Sequence, residues 1–156
     1  MPTASLRTAT LAEIADLEAL QRRASLVWAD TRDQLQAHPD AIEIPPEQVR
    51  QSCVRVAVDE DDALLGFSVV LPPAEPDDPA QLDGLFVEPD HMRGGIGRLL
   101  VDDAEHRARA AGWPCLAVVA NPNALGFYER LGFTAGDLVA TRFGPAVPMM
   151  LTIGPI

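Results

Sequence analysis

Apolar residues recur along this chain with two periods, and the changes between them mark out the elements. In TLAEIADLEALQRRASLVWA (residues 10–29), Leu11, Ile14, Leu17, Leu20 and Ala24 return at three- and four-residue steps with acids between them, which predicts an amphipathic helix. Thr10 followed by Glu13 is a capping-box pattern and sets the helix start there. SLRTA at 5–9 reads as a short strand ahead of it. Residues 30–52 are polar and interrupted by Pro39, Pro45 and Pro46, consistent with one or two short helices joined by loops. VRVAV at 54–58 and ALLGFSVVL at 63–71 flank the acidic turn DEDD and predict an antiparallel hairpin. The Pro-rich acidic stretch 72–80 is a loop, and LDGLFVEP at 82–89 is a strand stopped by Pro89.

The helical period returns over 95–111, with Ile96, Leu99, Leu100, Ala104, Ala108 and Ala111 on one face. Gly112 ends that helix, and Pro114 prevents its continuation. CLAVVA at 115–120 is continuously apolar, as expected of a strand inside a sheet. A second helix over 122–131 stops at Gly132, and strands at 133–142 and 147–153 follow around the Gly-Pro turn at 144–145. This order predicts an α+β, or mixed α/β, fold in a single domain.

Composition then removes whole classes of function. The chain has 156 residues, and 23 acids against 12 bases give a net charge of −11. All of the bases are Arg. Such a chain lacks the basic face of a general nucleic-acid binder. Its hydrophobic content of 47% is too high for a disordered chain. No apolar run approaches the roughly 18 residues of a membrane span, and MPTASLRTAT lacks the pattern of a signal peptide. Cys53 and Cys115 sit in apolar runs and read as buried free thiols, so the expectation is a cytoplasmic protein without nucleic-acid or membrane partners.

Chemistry concentrates in Val87-Glu88-Pro89-Asp90-His91-Met92-Arg93-Gly94-Gly95-Ile96-Gly97-Arg98. A strand stops, glycines make a turn, and a helix begins. Glycine permits positive φ and close approach of a ligand, and the first helical turn offers unpaired N–H groups and partial positive charge, a ready site for phosphate. Arg93 and Arg98 add formal charge. The spacing is neither the G-x-G-x-x-G of a dinucleotide fold nor a Walker loop, which needs the Lys this chain lacks.

Leu85-Phe86-Val87-x-Pro89, followed by Met92-Arg93-Gly94-Gly95-Ile96-Gly97, resembles the acyl-CoA motif of the GNAT superfamily of N-acetyltransferases, with Met92 where Gln or Arg is usual. The segment Asn121-Pro122-Asn123-Ala124-Leu125-Gly126-Phe127-Tyr128, continuing to Gly132-Phe133, resembles the second block of the same superfamily. The opening strand and helix at 6–20 are similar as well. The resemblance implies a twisted, mostly antiparallel sheet of about seven strands with about four helices and a splayed parallel strand pair at the acyl-CoA site.

It also implies the cofactor, acetyl-CoA, with CoA as product. Amides of Arg93, Gly94, Gly95, Ile96, Gly97 and Arg98, following Met92, would hold its pyrophosphate. The backbone at Leu85, Phe86 and Val87 would pair with its pantetheine arm, and Asn121, Ala124, Phe127 and Tyr128 would complete the cofactor set. The implied reaction is direct acetyl transfer to a primary amine of a small molecule. A strand N–H near Leu85–Val87 polarises the carbonyl, and Tyr128 acts as general acid. The usual Glu base is replaced by Gln81. Asp83, two residues further on the same strand face, is the best substitute, with Glu43 or Asp30 acting through water as alternatives, or no base at all if the amine binds neutral. His38, His91 and His106 lie in no triad-like setting. Trp28, Asp30, Arg32 and Arg142 are the implied acceptor-binding residues. A protein N-terminal or lysine acetyltransferase, a non-catalytic acyl-CoA-binding module, and association as a homodimer stay open.

Overall fold

In a computed structural model, the structure describes residues 4–27, 42–92, 94–141 and 144–153. The chain divides into two compact units, Met1–Val69 with Gly84–Val101, and Val70–Asp83 with Asp102–Ile156. The elements in order are β1 (Ser5–Thr8), α1 (Ile14–Ser25), α2 (Pro46–Arg50), β2 (Val54–Val58), β3 (Leu64–Leu71), β4 (Ala80–Val87), α3 (Ile96–Ala111), β5 (Cys115–Ala120), α4 (Leu125–Arg130), β6 (Thr134–Ala135), β7 (Val139–Thr141) and β8 (Gly144–Thr152). Short 3-10 turns at Leu11–Glu13, Pro89–His91 and Pro122–Ala124 lead into α1, precede α3 and lead into α4. The expected mixed α/β order is present, with one more strand than the sequence pattern predicts.

In the first unit, β1 and β2 pair antiparallel from Ser5↔Val58 to Thr8↔Arg55, and β2 and β3 form the expected hairpin from Val54↔Val69. The β2–β3 register slips by one: Ala57 faces Gly66 but Val58 faces Leu64, so Leu65 bulges out of the ladder. The bulge carries Leu65 into a cluster with Ala57, Ile96 and Leu100, against which Leu6, Leu85 and Val87 also pack. Helix α1 buries Leu17, Leu20 and Ala24, whereas Leu11 is exposed, because the first turn is 3-10 and turns Leu11 off the α-helical stripe.

Glu13 does the work expected of the capping box, accepting the Thr10 backbone N–H at 2.9 Å. It also takes a two-pronged contact from Arg7, whose guanidinium reaches Asp62 in the hairpin turn at 3.0 Å, so one Arg ties β1, the start of α1 and the β2–β3 turn. The Arg7 hydrogen bonds hold the Glu13 carboxyl down at about 2 from its ordinary 4.5. A depressed carboxylate pKa contributes stability that is fully present above pH 4.5 and is lost as pH falls toward 2. Glu13→Gln is expected to lower Tm at pH 7 and to flatten the decline of Tm between pH 4.5 and 2. An unchanged acid limb in the variant would show that other groups set it.

In the second unit, the first residues of β4 pair parallel with β5, Ala80↔Leu116 and Gln81↔Ala117. β5 pairs antiparallel with β8 along its whole length, and β8 also carries β6 and β7. Two expectations are corrected here. The strand anticipated over 133–142 is two short strands on β8: the Gly136 N–H still bonds the Pro148 carbonyl at 2.7 Å, but four residues lead from Ala135, opposite Met149, to Val139, opposite Ala146, where β8 uses three, so the ladder is interrupted between them. β5 is central in hydrogen bonding, yet Val119 is 57% exposed, so the continuous apolar run does not mean cover on both faces. On α3, Ile96, Leu100, Ala104 and Ala108 are buried as expected and Val101 joins them, while Leu99 is half-buried and Ala111 exposed in the final turn. That helix ends at Gly112 with φ +75°, and the Trp113 N–H returns to the Ala108 carbonyl. Both cysteines are free; Cys53 is buried, whereas Cys115 is only half-buried because it lies on the open face of β5. No helix among the described residues is long and apolar enough to cross a membrane.

Candidate active site

The glycine turn lies in the first unit. β4 ends at Val87, where the Glu88 N–H closes onto the Leu65 carbonyl at 2.8 Å, and Pro89 opens a 3-10 turn. The Gly94 N–H then bonds the His91 carbonyl at 3.1 Å, Gly95 takes φ +83°, and α3 starts at Ile96. That φ lies in the left-handed region, which explains why a glycine stands at this position. The Leu99 N–H to the Gly95 carbonyl, at 3.0 Å, is the first bond of the helical ladder, so the amides of Ile96 and Gly97 precede it. A sixteen-residue helix aimed from this end places partial positive charge at the turn.

Anchoring comes from both flanks. Leu85 and Val87 send side chains onto the Ile96–Leu100 cluster, and Phe86 packs its ring on Phe67 at 5.3 Å between centroids. Gly84 makes room for the Phe86 ring: a Cβ there would stand 2.9 Å from it. Met92 is exposed at the turn. Arg93 lies outside the described residues.

One part of this site escaped the sequence pattern. Glu88 is a second acid beside the turn, and Arg23, near the end of α1, clamps it with Nε at 3.1 Å from both carboxylate oxygens and Nη2 at 2.5 Å from one. This pairing offsets a negative charge next to an anion-receptive helix start. The two residues are 65 apart in sequence, so no local signal joins them.

The second block lies in the other unit. The Asn121 side chain accepts the Asn123 N–H at 2.8 Å and caps the turn into α4, the structural use its residue type favours. Ala124 and Phe127 are half-buried, and Tyr128 is 6% exposed, its ring edge-on to Phe127 at 5.1 Å and to Phe133 at 5.3 Å. Burial pushes the Tyr128 phenol well above its ordinary value of 10.0. No hydrogen bond to its hydroxyl forms among the described residues. Gln81 and Asp83 are both exposed on the same face of β4, between the buried Ala80, Leu82 and Gly84. Of the acceptor-side residues, Trp28, Asp30, Arg32, His38, Arg142 and Phe143 lie outside the described residues. No cluster of metal-ligating side chains occurs among the described residues.

Comparison with known proteins gives the chain its class. The model of the acetyltransferase (GNAT) family matches residues 14–133, and the chain belongs to that family. The family is one of acyl-CoA-dependent N-acetyltransferases. A peptidyl-lysine N-acetyltransferase, YjaB, of Salmonella typhimurium is 31% identical over 101 residues; the match spans 64% of this chain and 63% of that relative's length. Among solved structures, the PaiA N-acetyltransferase of Thermoplasma acidophilum in complex with coenzyme A superposes with TM-score 0.78 at 17% identity, over 96% of this chain and 99% of that one. A nourseothricin acetyltransferase matches with TM-score 0.57 at 28% identity, over 65% of each chain. The fold is thus the acetyltransferase fold, a mixed sheet with the parallel pair β4–β5.

Proposed function

We propose that the chain transfers an acetyl group from acetyl-CoA directly to a primary amine of a small molecule. The observation that carries this reading is the turn at Gly94–Gly97, where positive φ at Gly95 and the open start of α3 meet the end of β4. Amides of the Arg93–Arg98 segment bind the pyrophosphate, with those of Ile96 and Gly97 open at the helix start. The backbone of Leu85, Phe86 and Val87 takes the pantetheine arm, and a strand N–H there polarises the thioester carbonyl.

The amine nitrogen attacks the carbonyl carbon, the carbon–sulfur bond breaks, and two protons move. Asp83 removes the proton from the amine, and Tyr128 delivers one to the departing thiolate. A phenol raised by burial keeps its proton at neutral pH, which suits a donor and excludes a base. Its transfer to a thiolate whose conjugate acid lies near 8.5 is uphill, so the benefit is limited to about 10²-fold. Asn121 supports the loop before Tyr128 through its cap.

For the acceptor, the net charge of −11 favours encounter with a cationic amine, and the relative at 28% identity is by name a nourseothricin acetyltransferase. A peptidyl lysine is the second reading, favoured by the name of the Salmonella relative. An amine panel of polyamines, aminoglycosides, nourseothricin and lysine-bearing peptides, read by free-thiol release from acetyl-CoA, separates them. Turnover with the small amines is expected. Turnover confined to the peptides moves the acceptor to protein, and a flat panel favours a binding module without catalysis.

A further inference from the structure

Gly66 belongs to neither motif and lies on β3, yet it touches both halves of the glycine-turn site. A Cβ at this position would stand 2.7 Å from the Phe86 carbonyl oxygen, 3.3 Å from the Val87 Cα and 3.1 Å from the Ile96 Cγ2. The first distance is far inside van der Waals contact. The atom it meets is backbone, so no rotamer change relieves it. We propose that Gly66 is a positioning residue for acyl-CoA: its missing side chain lets the end of β4 and the first residue of α3 settle together on β3.

Three further features hold this arrangement. Gly66 pairs with Ala57 at the last rung before the bulge, and the bulge sends Leu65 into the Ile96–Leu100 cluster. The Leu65 carbonyl receives the Glu88 N–H, so β3 is fastened to the residue just beyond Val87. Ile96 is buried, and its branch rests over Gly66. A methyl group at Gly66 must therefore displace the Phe86–Val87 backbone, the start of α3, or both. Those are the groups that the proposed function assigns to the pantetheine arm and to the pyrophosphate, and this inference rests on that assignment.

The ordinary alternative is a glycine that serves packing alone. Gly66→Ala would then lower Tm and leave ligand affinity alone. The test measures Tm, the Kd of CoA by calorimetry well below Tm, and KM for acetyl-CoA and for the amine. Gly66→Ala is expected to raise Kd for CoA and KM for acetyl-CoA about tenfold or more, with a much smaller change in KM for the amine. Gly84→Ala is the control, since its Cβ would press on the movable edge of the Phe86 ring and otherwise meet Val69 Cγ2 in ordinary contact at 3.5 Å, with no backbone in the way; it should lower Tm and keep CoA affinity. A folded Gly66→Ala with CoA affinity within about twofold of the parent overturns the proposal.

If Gly66→Ala does not fold, Ile96→Ala and Leu100→Ala decide. Both truncate the same cluster, but only Ile96 rests on Gly66. Weaker CoA binding in Ile96→Ala at a comparable loss of Tm supports the proposal, and equal affinities in the two overturn it. Gly95→Glu separates the underlying assignment from this inference. Should it bind CoA as the parent does, the turn is not the pyrophosphate site and the assignment fails. Should it lose CoA while Gly66→Ala keeps it, only the inference fails.

Discussion

A Gly95→Glu chain is expected to fold and to lose coenzyme A. A Cβ on Gly95 meets nothing within 4 Å, so the new side chain projects away from the protein rather than into it. The fold pays only for the φ of +83°, about 1–2 kcal/mol for an L-residue. The added carboxylate then lies beside the open helix start, where an incoming pyrophosphate would need the amides of Ile96 and Gly97. Two like charges a few ångströms apart with little intervening water repel strongly. The Kd for CoA should rise by about 100-fold or more, which corresponds to about 2.7 kcal/mol or more of binding free energy.

Thermal melting reads this directly. At ligand near 100 times the parent Kd, binding stabilises the native state by about 2.7 kcal/mol, a rise of roughly 5–10 °C for a chain of this size. The variant should rise by no more than about 1–2 °C at that concentration. Gly95→Asn is the control, because Asn tolerates the left-handed region without adding charge, and it should retain most of the shift. A full shift in Gly95→Glu would place the cofactor elsewhere.

The second large effect is catalytic. Tyr128→Phe is expected to lower kcat by up to about 10²-fold with acetyl-CoA affinity unchanged. The substitution keeps the ring, and with it the contacts to Phe127 and Phe133. Removing a hydroxyl that no described residue hydrogen-bonds costs the fold little, so Tm should hold or rise. A drop in kcat at constant Tm therefore reports chemistry, whereas a drop in both reports packing. The raised phenol pKa adds a sign: because Tyr128 stays protonated through pH 10, kcat in the parent should show no descending limb from its ionisation below that pH. An unchanged kcat in Tyr128→Phe removes the acid role.

Local sequence carried much of this protein. The capping box at Thr10 and Glu13, the hairpin at 54–71, the long helix stopped by Gly112 and the glycine turn are short-range patterns, and each formed where residue spacing put it. Hydrophobic period and turn chemistry act within a few residues, so a single chain displays them. The candidate site was legible for the same reason, as two contiguous blocks. Where the pattern misled, the deciding partner was distant. The 133–142 run became two strands because its register on β8 slips by one residue between Ala135 and Val139, and the apolar β5 leaves Val119 open because apolar residues alone do not say which face is covered.

What the sequence by itself determined is most of the elements, the family motifs and an anion-ready turn in an acidic chain. Tertiary structure alone decided three things. It paired Glu88 with Arg23 across 65 residues, offsetting an acid beside that turn. It buried Tyr128 between two rings and so raised its phenol pKa. It also set Gly66 beneath Phe86 and Ile96, turning an unremarked strand glycine into a candidate support for the site. Charge pairing, desolvation and close packing depend on atoms brought together through space, and a linear pattern holds no record of them until the chain folds.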